Sequence, residues 1–85
     1  MQKTFFMYYT YILYSPDLDK YYIGSTNNLK RRLEDHNRGK NKFSRQAQTW
    51  ELKYSETFQT RAEAFKREQA IKKKKSRIYI ERLIS

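Results

Sequence analysis

The sequence predicts an α/β fold of the α+β type: a small three-stranded, mainly antiparallel sheet flanked by helices, in the order β-β-α-β-α-α. Three observations predict it. Three short runs are rich in aromatic and β-branched residues, which fit a pleated surface. Three other segments pair helical periodicity with capping residues at their starts. The connections are short, and a chain of 85 residues forms one domain, here residues 1–85.

Residues 8–14 (YYTYILY) read as the first strand. Alternation sends Tyr9, Tyr11 and Leu13 to one face and Tyr8, Thr10, Ile12 and Tyr14 to the other. Residues 15–19 (SPDLD) are turn chemistry, and residues 20–24 (KYYIG) return as a second strand, making a hairpin. Ser25, Thr26, Asn27 and Asn28 are N-cap candidates for a helix over residues 29–38. Leu29 and Leu33 mark its buried stripe, and Gly39 closes it as a left-handed cap. Residues 40–49 are polar and read as a loop with a short helical turn. Residues 50–58 (WELKYSETF) set Trp50, Leu52 and Tyr54 against Glu51, Lys53 and Ser55, a half-buried strand. Thr60 and Glu63 form a capping box for a helix reaching residue 74, with Ala64, Phe65, Glu68 and Ile71 as its inner stripe. Ser76 caps a last short helix carrying Ile78, Ile80, Leu83 and Ile84.

A domain of this size buries only about 60–65% of its unfolded surface. Eight Tyr, five Phe and one Trp therefore carry much of the burial. The absence of Cys excludes disulfides and thiolate zinc sites and fits a reducing cytoplasm. No apolar run approaches the ~18–20 residues of a membrane span, and the start shows no signal-peptide pattern. Lys and Arg total 19 against nine Asp and Glu, a net charge of +10. That excess points to a polyanion, with nucleic acid first. An anionic membrane fits less well, because the basic residues are interleaved with aromatics and acids and do not follow one amphipathic helix.

Polar groups sharing a face with the core point to a site. Leu29, Arg32, Leu33 and His36 fall at i, i+3, i+4 and i+7, which sets Arg32 and His36 at the edge of the buried stripe, while Lys30 and Arg31 point elsewhere. A guanidinium there needs an anion, either an internal carboxylate or a substrate phosphate. Glu68 stands among Ala64, Phe65 and Ile71, so it is either paired inside the protein, with Arg32 as the obvious partner, or bound to a cation. Tyr11 and Tyr22 fall on one sheet face near Gly24, which permits close approach; each Tyr also has a plain reading as a packed cross-strand aromatic.

Tyr9-Thr10-Tyr11 followed by Tyr22-Ile23-Gly24 resembles the paired tripeptides of the GIY-YIG nucleases. Arg32 at plus eight from Gly24, His36 at plus twelve and Glu68 in Lys66-Arg67-Glu68 complete the resemblance, which runs from about residue 8 to residue 84. It is closest to small stand-alone members similar to the N-terminal domain of the bacterial excision-repair incision subunit. Two departures stand out. Tyr9 and Thr10 replace Gly and Ile, and no Asn follows Asn41, although many members carry a distal Asn.

The resemblance implies a DNA endonuclease of low sequence specificity, with a role in DNA repair and a single Mg²⁺ or Mn²⁺ ion on Glu68. In that reading Arg32 neutralises the transition-state phosphate. Tyr11 accepts the water's proton, Tyr22 places water or phosphate, and His36 relays the proton or orients a Tyr. Lys20, Lys30, Arg31, Lys42, Arg45, Lys72, Lys73, Lys74 and Lys75 hold the DNA backbone, with RNA a further candidate and targeting left to a partner protein. The lysine run reads equally as a solvated helix face. The alternative from a different class is a non-catalytic basic module that binds DNA or RNA, and a structural part of a ribonucleoprotein is a third.

Overall fold

The first run forms β1, Tyr8–Ser15, and a turn over residues 16–19 returns it as β2, Lys20–Thr26. Asp19 adopts a left-handed φ of 52°, a conformation that Asp tolerates, and its Oδ1 accepts a hydrogen bond from Tyr14 Oη at 2.6 Å. Then come α1, Leu29–Asn37; β3, Glu51–Phe58; α2, Arg61–Lys74; and α3, Arg77–Ile84. This is the expected order in an α+β fold. The chain is described by a computed structural model over residues 7–39 and 49–85. Most of the expected loop over residues 40–49, with Lys42 and Arg45, lies outside these residues.

The sheet order is β2-β1-β3, with both pairings antiparallel. Tyr11 stands opposite Gly24 and Leu13 opposite Tyr22, so Tyr11 and Tyr22 share a face as the alternation predicts. That face carries the cluster of Tyr11, Leu13 and Trp50, against which Leu29 and Leu33 of α1 pack. The other face carries Thr10 and Ile12, and α2 lies on it. Thr10 Oγ1 donates to the Ala64 carbonyl at 2.7 Å in a buried setting. The helices thus cover both faces of one sheet.

Caps form where the sequence places them. Asn28 caps α1, its Oδ1 accepting from Arg31 N at 3.1 Å, and Gly39 takes a positive φ of 70° just past the helix. Thr60 Oγ1 accepts from Glu63 N at 3.1 Å. The return half of that capping box differs from expectation, because Thr60 Oγ1 also meets Glu63 Oε1 at 2.9 Å, so the carboxylate takes the hydroxyl and not a backbone N–H. Ser76 caps α3 through Tyr79 N at 3.1 Å.

Two packing expectations are corrected. Tyr54 stands opposite Ile12 and Leu52 opposite Leu13. A bulge at Lys53 therefore separates Tyr54 from Leu52 and Trp50, which the simple alternation put on one face, because one extra residue flips every side chain beyond it. Phe65 is 53% exposed and not part of the inner stripe of α2. That stripe is Ala64, Glu68 and Ile71, at i, i+4 and i+7; Phe65 lies about 100° round the helix from Ala64.

Candidate active site

Three elements meet at Gly24. The Tyr11 ring, from the central strand, lies across the backbone of the edge strand β2. A Cβ built on Gly24 would overlap Tyr11 Oη and stand 2.6 Å from its Cζ, so only glycine leaves room for the ring. Tyr22 stacks beside it, with centroids 6.3 Å apart. His36 of α1 meets the Tyr22 ring edge-on at 4.4 Å and faces Trp50 at 5.8 Å. Asn37 fixes that corner by holding Trp50 at both ends: its Oδ1 accepts from Trp50 N at 2.6 Å and its Nδ2 donates to Trp50 O at 3.3 Å.

Glu68 comes from the opposite face. Ser25, one residue past Gly24, donates from Oγ to Glu68 Oε1 at 2.8 Å. Lys72 Nζ lies 2.7 Å from Glu68 Oε2. The Glu68 side chain is 10% exposed, so it is nearly buried, and it is held by two partners. The expected pair with Arg32 does not form. Arg32, expected at the edge of the buried stripe, is exposed, and it makes no ion pair among the described residues. It borders a cavity of about 370 Å³ together with Asn28, Arg31 and Asp35.

Charges converge on one hydroxyl. Burial above all pushes the Tyr11 hydroxyl well above the usual phenol range; Tyr22 adds to the rise, Arg32 opposes it, and Glu68 raises it further. Arg32 and Glu68 therefore act on the same atom from two sides of the sheet. His36 is 1% exposed, and neither ring nitrogen has a hydrogen-bond partner among the described residues. Burial, then the Arg32 charge, depresses its pKa, with Asp35 opposing, so it is neutral at pH 7.

The basic residues divide. Lys20, Lys72 and Lys75 line one cavity of about 370 Å³ with an apolar floor of Ile23, Ile71 and Ile80. Arg31 borders the Arg32 cavity. Lys30 and Lys73 are simply exposed, and Lys74 Nζ lies over the Tyr79 ring at 5.3 Å. Sequence reasoning missed Ser25, Asn37 and the partnership of Lys72 with Glu68. The last was legible as a Glu–Lys pair at i, i+4; Ser25 was read only as a cap candidate, and Asn37 carried no signal.

Glu68 fits a divalent ion by its own chemistry. It is a nearly buried carboxylate that already draws a cation, and Mg²⁺ commonly takes one or two carboxylates and keeps several waters. Among the described residues no cluster of three or more His, Cys, Asp or Glu side chains forms. No helix of the described residues is long and apolar enough to cross a membrane.

Comparison with known proteins identifies the family. Residues 7–81 match the GIY-YIG catalytic domain. A UPF0213 protein of Bacillus pumilus is 40% identical over 80 residues, covering 89% of this chain and 81% of its own length. Another from Streptococcus pneumoniae is 40% identical over 68 residues, covering 79% and 68%, and one from Halobacterium salinarum is 34% identical over 67, covering 78% and 86%. No solved structure matches. With the whole sheet, α1, α2 and the first part of α3 inside the matched span, the chain belongs to the GIY-YIG family of nuclease domains.

Proposed function

We propose that the chain is a divalent-metal-dependent DNA endonuclease that hydrolyses phosphodiester bonds with one ion and little sequence preference, in cytoplasmic DNA repair. The packing of Tyr11 on Gly24 with Tyr22 beside it, and the hold of the adjoining Ser25 on Glu68 from the other face of the sheet, carry this reading. Glu68 would hold Mg²⁺ or Mn²⁺, which when bound supplies Lewis-acid polarisation of the phosphate.

The chain's own groups supply the rest. Arg32 is exposed and offers its planar fork to phosphate oxygens, where charge grows in the transition state. Tyr11 starts as a phenol, since burial and Glu68 both hold its proton on. It can hydrogen-bond the attacking water or the phosphate as it stands; to act as the base it must first give its own proton to solvent, a loss that burial, then Tyr22 and Glu68, oppose and that Arg32 favours. Tyr22, fixed between Tyr11 and His36, orients the reacting group. His36 is a positioning residue, walled in by rings and neutral. Lys20, Lys30, Arg31 and the Lys72–Lys75 run bind the backbone, which carries no sequence information.

The test is cleavage of labelled single-stranded, double-stranded and flapped DNA, with an RNA strand beside them, in Mg²⁺, Mn²⁺ or EDTA. The wild type cuts only with metal, and Glu68→Ala and Tyr11→Phe lose roughly 10²–10³-fold. One observation favours the second reading, a binding module: Lys72 already satisfies Glu68. That reading requires no cutting of any substrate, with salt-sensitive binding unchanged in EDTA and in Glu68→Ala.

A further inference from the structure

Both oxygens of Glu68 are engaged, but their partners are held very differently. Ser25 belongs to β2 and is paired by backbone with Thr10. Lys72 sits in the last turn of α2, its side chain 45% exposed, on a flexible four-carbon stem. It also borders the cavity shared with Lys20 and Lys75, so it has open space to swing into. A carboxylate as buried as Glu68 is destabilising without a positive partner, and the ammonium of Lys72 is the cation that meets this need.

We propose that Lys72 is a placeholder for the divalent ion: its ammonium and the ion compete for Glu68 Oε2, and Lys72 moves into the adjoining cavity when the ion binds. The inference rests on the reading of Glu68 as the carboxylate that holds the ion, and it assigns that site a residue the reading does not contain. The pair keeps Glu68 aimed before the ion arrives. In exchange it weakens ion binding by the strength of one half-exposed, charge-assisted contact, roughly twofold to tenfold. Ser25 keeps its hold on Oε1 throughout, so the carboxylate need not turn.

The experiment is Mn²⁺ binding to the full chain without nucleic acid, by calorimetry and by the electron paramagnetic resonance signal of free Mn²⁺. Wild type, Lys72→Met, Lys73→Met and Glu68→Gln are compared, with circular dichroism to confirm folding and Lys72→Gln standing in if Lys72→Met does not fold. The expected result is that Lys72→Met binds Mn²⁺ about twofold to tenfold more tightly than the wild type. Lys73→Met, an equal loss of charge on a lysine that does not touch Glu68, stays near the wild type. Equal affinities for Lys72→Met and Lys73→Met, both dependent on Glu68, overturn the placeholder. Binding that Glu68→Gln leaves unchanged, or no binding by any variant, overturns the reading of Glu68 instead.

Discussion

Replacing Gly24 with Ala tests the geometry of the site at a single methyl group. The added Cβ would stand 2.6 Å from Tyr11 Cζ and 3.1 Å from Cε1, besides overlapping the hydroxyl. Non-bonded carbons settle near 3.5–4.0 Å, so the ring must retreat by about 1 Å. It cannot retreat freely, because Tyr11 is 2% exposed and packed against both Tyr22 and His36. Overpacking of this kind destabilises by about 1–3 kcal/mol. For a domain this small, each kcal/mol lowers Tm by roughly 4–8 °C, so a fall of about 4–24 °C is expected by differential scanning calorimetry. If Tyr11 acts in the reaction, cleavage drops by about 10²-fold even below the new Tm, the cost of a 1 Å misplacement. The Gly24→Ala/Tyr11→Ala double variant removes the clash, so the two changes couple by about 0.5–3 kcal/mol. A Gly24→Ala protein with unchanged Tm and unchanged aromatic circular dichroism would refute the claim that the ring lies across that backbone.

Other outcomes follow from neighbouring contacts. The pKa of His36 is depressed by burial and by Arg32, so the unfolded chain takes up a proton there before the folded one does. Stability from the neutral ring is full above the unfolded value of about 6.5 and is lost as pH falls below it toward the depressed folded value. Urea melts between pH 7 and 5 will show that slope, and His36→Phe will flatten it. Thr10→Val removes the buried hydroxyl that donates to Ala64 O and should cost about 1 kcal/mol in urea denaturation. Arg67 grips Glu56 through Nε and Nη2, at 3.1 and 3.0 Å to Oε2, and donates to Tyr79 Oη at 3.3 Å. Arg67→Lys loses that fork and should cost about 1–2 kcal/mol in the same assay.

The strands and helices were legible because each carries a local signal: alternation in residues 8–14, capping at Asn28, Thr60 and Ser76. The bulge at Lys53 was not legible, since nothing in WELKYSETF marks an extra residue and only pairing with β1 reveals it. Phe65 misled because apolar character alone does not fix which side of a helix docks; the Thr10–Ala64 bond does. The candidate side chains were recognisable as polar groups beside a core, and Tyr11 and Tyr22 fall together as expected. What residue spacing could not give was the partner of Glu68. Arg32 and Glu68 lie on different faces, and a one-dimensional pattern does not say that α1 and α2 cover opposite sides of the sheet.

That split has a consequence for a chain still being made. The tyrosines, Arg32 and His36 leave the ribosome before Glu68, as synthesis proceeds at about 5–20 residues per second. The hairpin and α1 can form one wall, yet the carboxylate arrives only when α2 docks through Thr10 and Ser25 onto the far side. An incomplete product, or one clipped between β3 and α2, therefore keeps the tyrosines, Arg32 and His36 without Glu68. If Glu68 holds the ion as proposed, a broken copy of this chain has lost the means to do so.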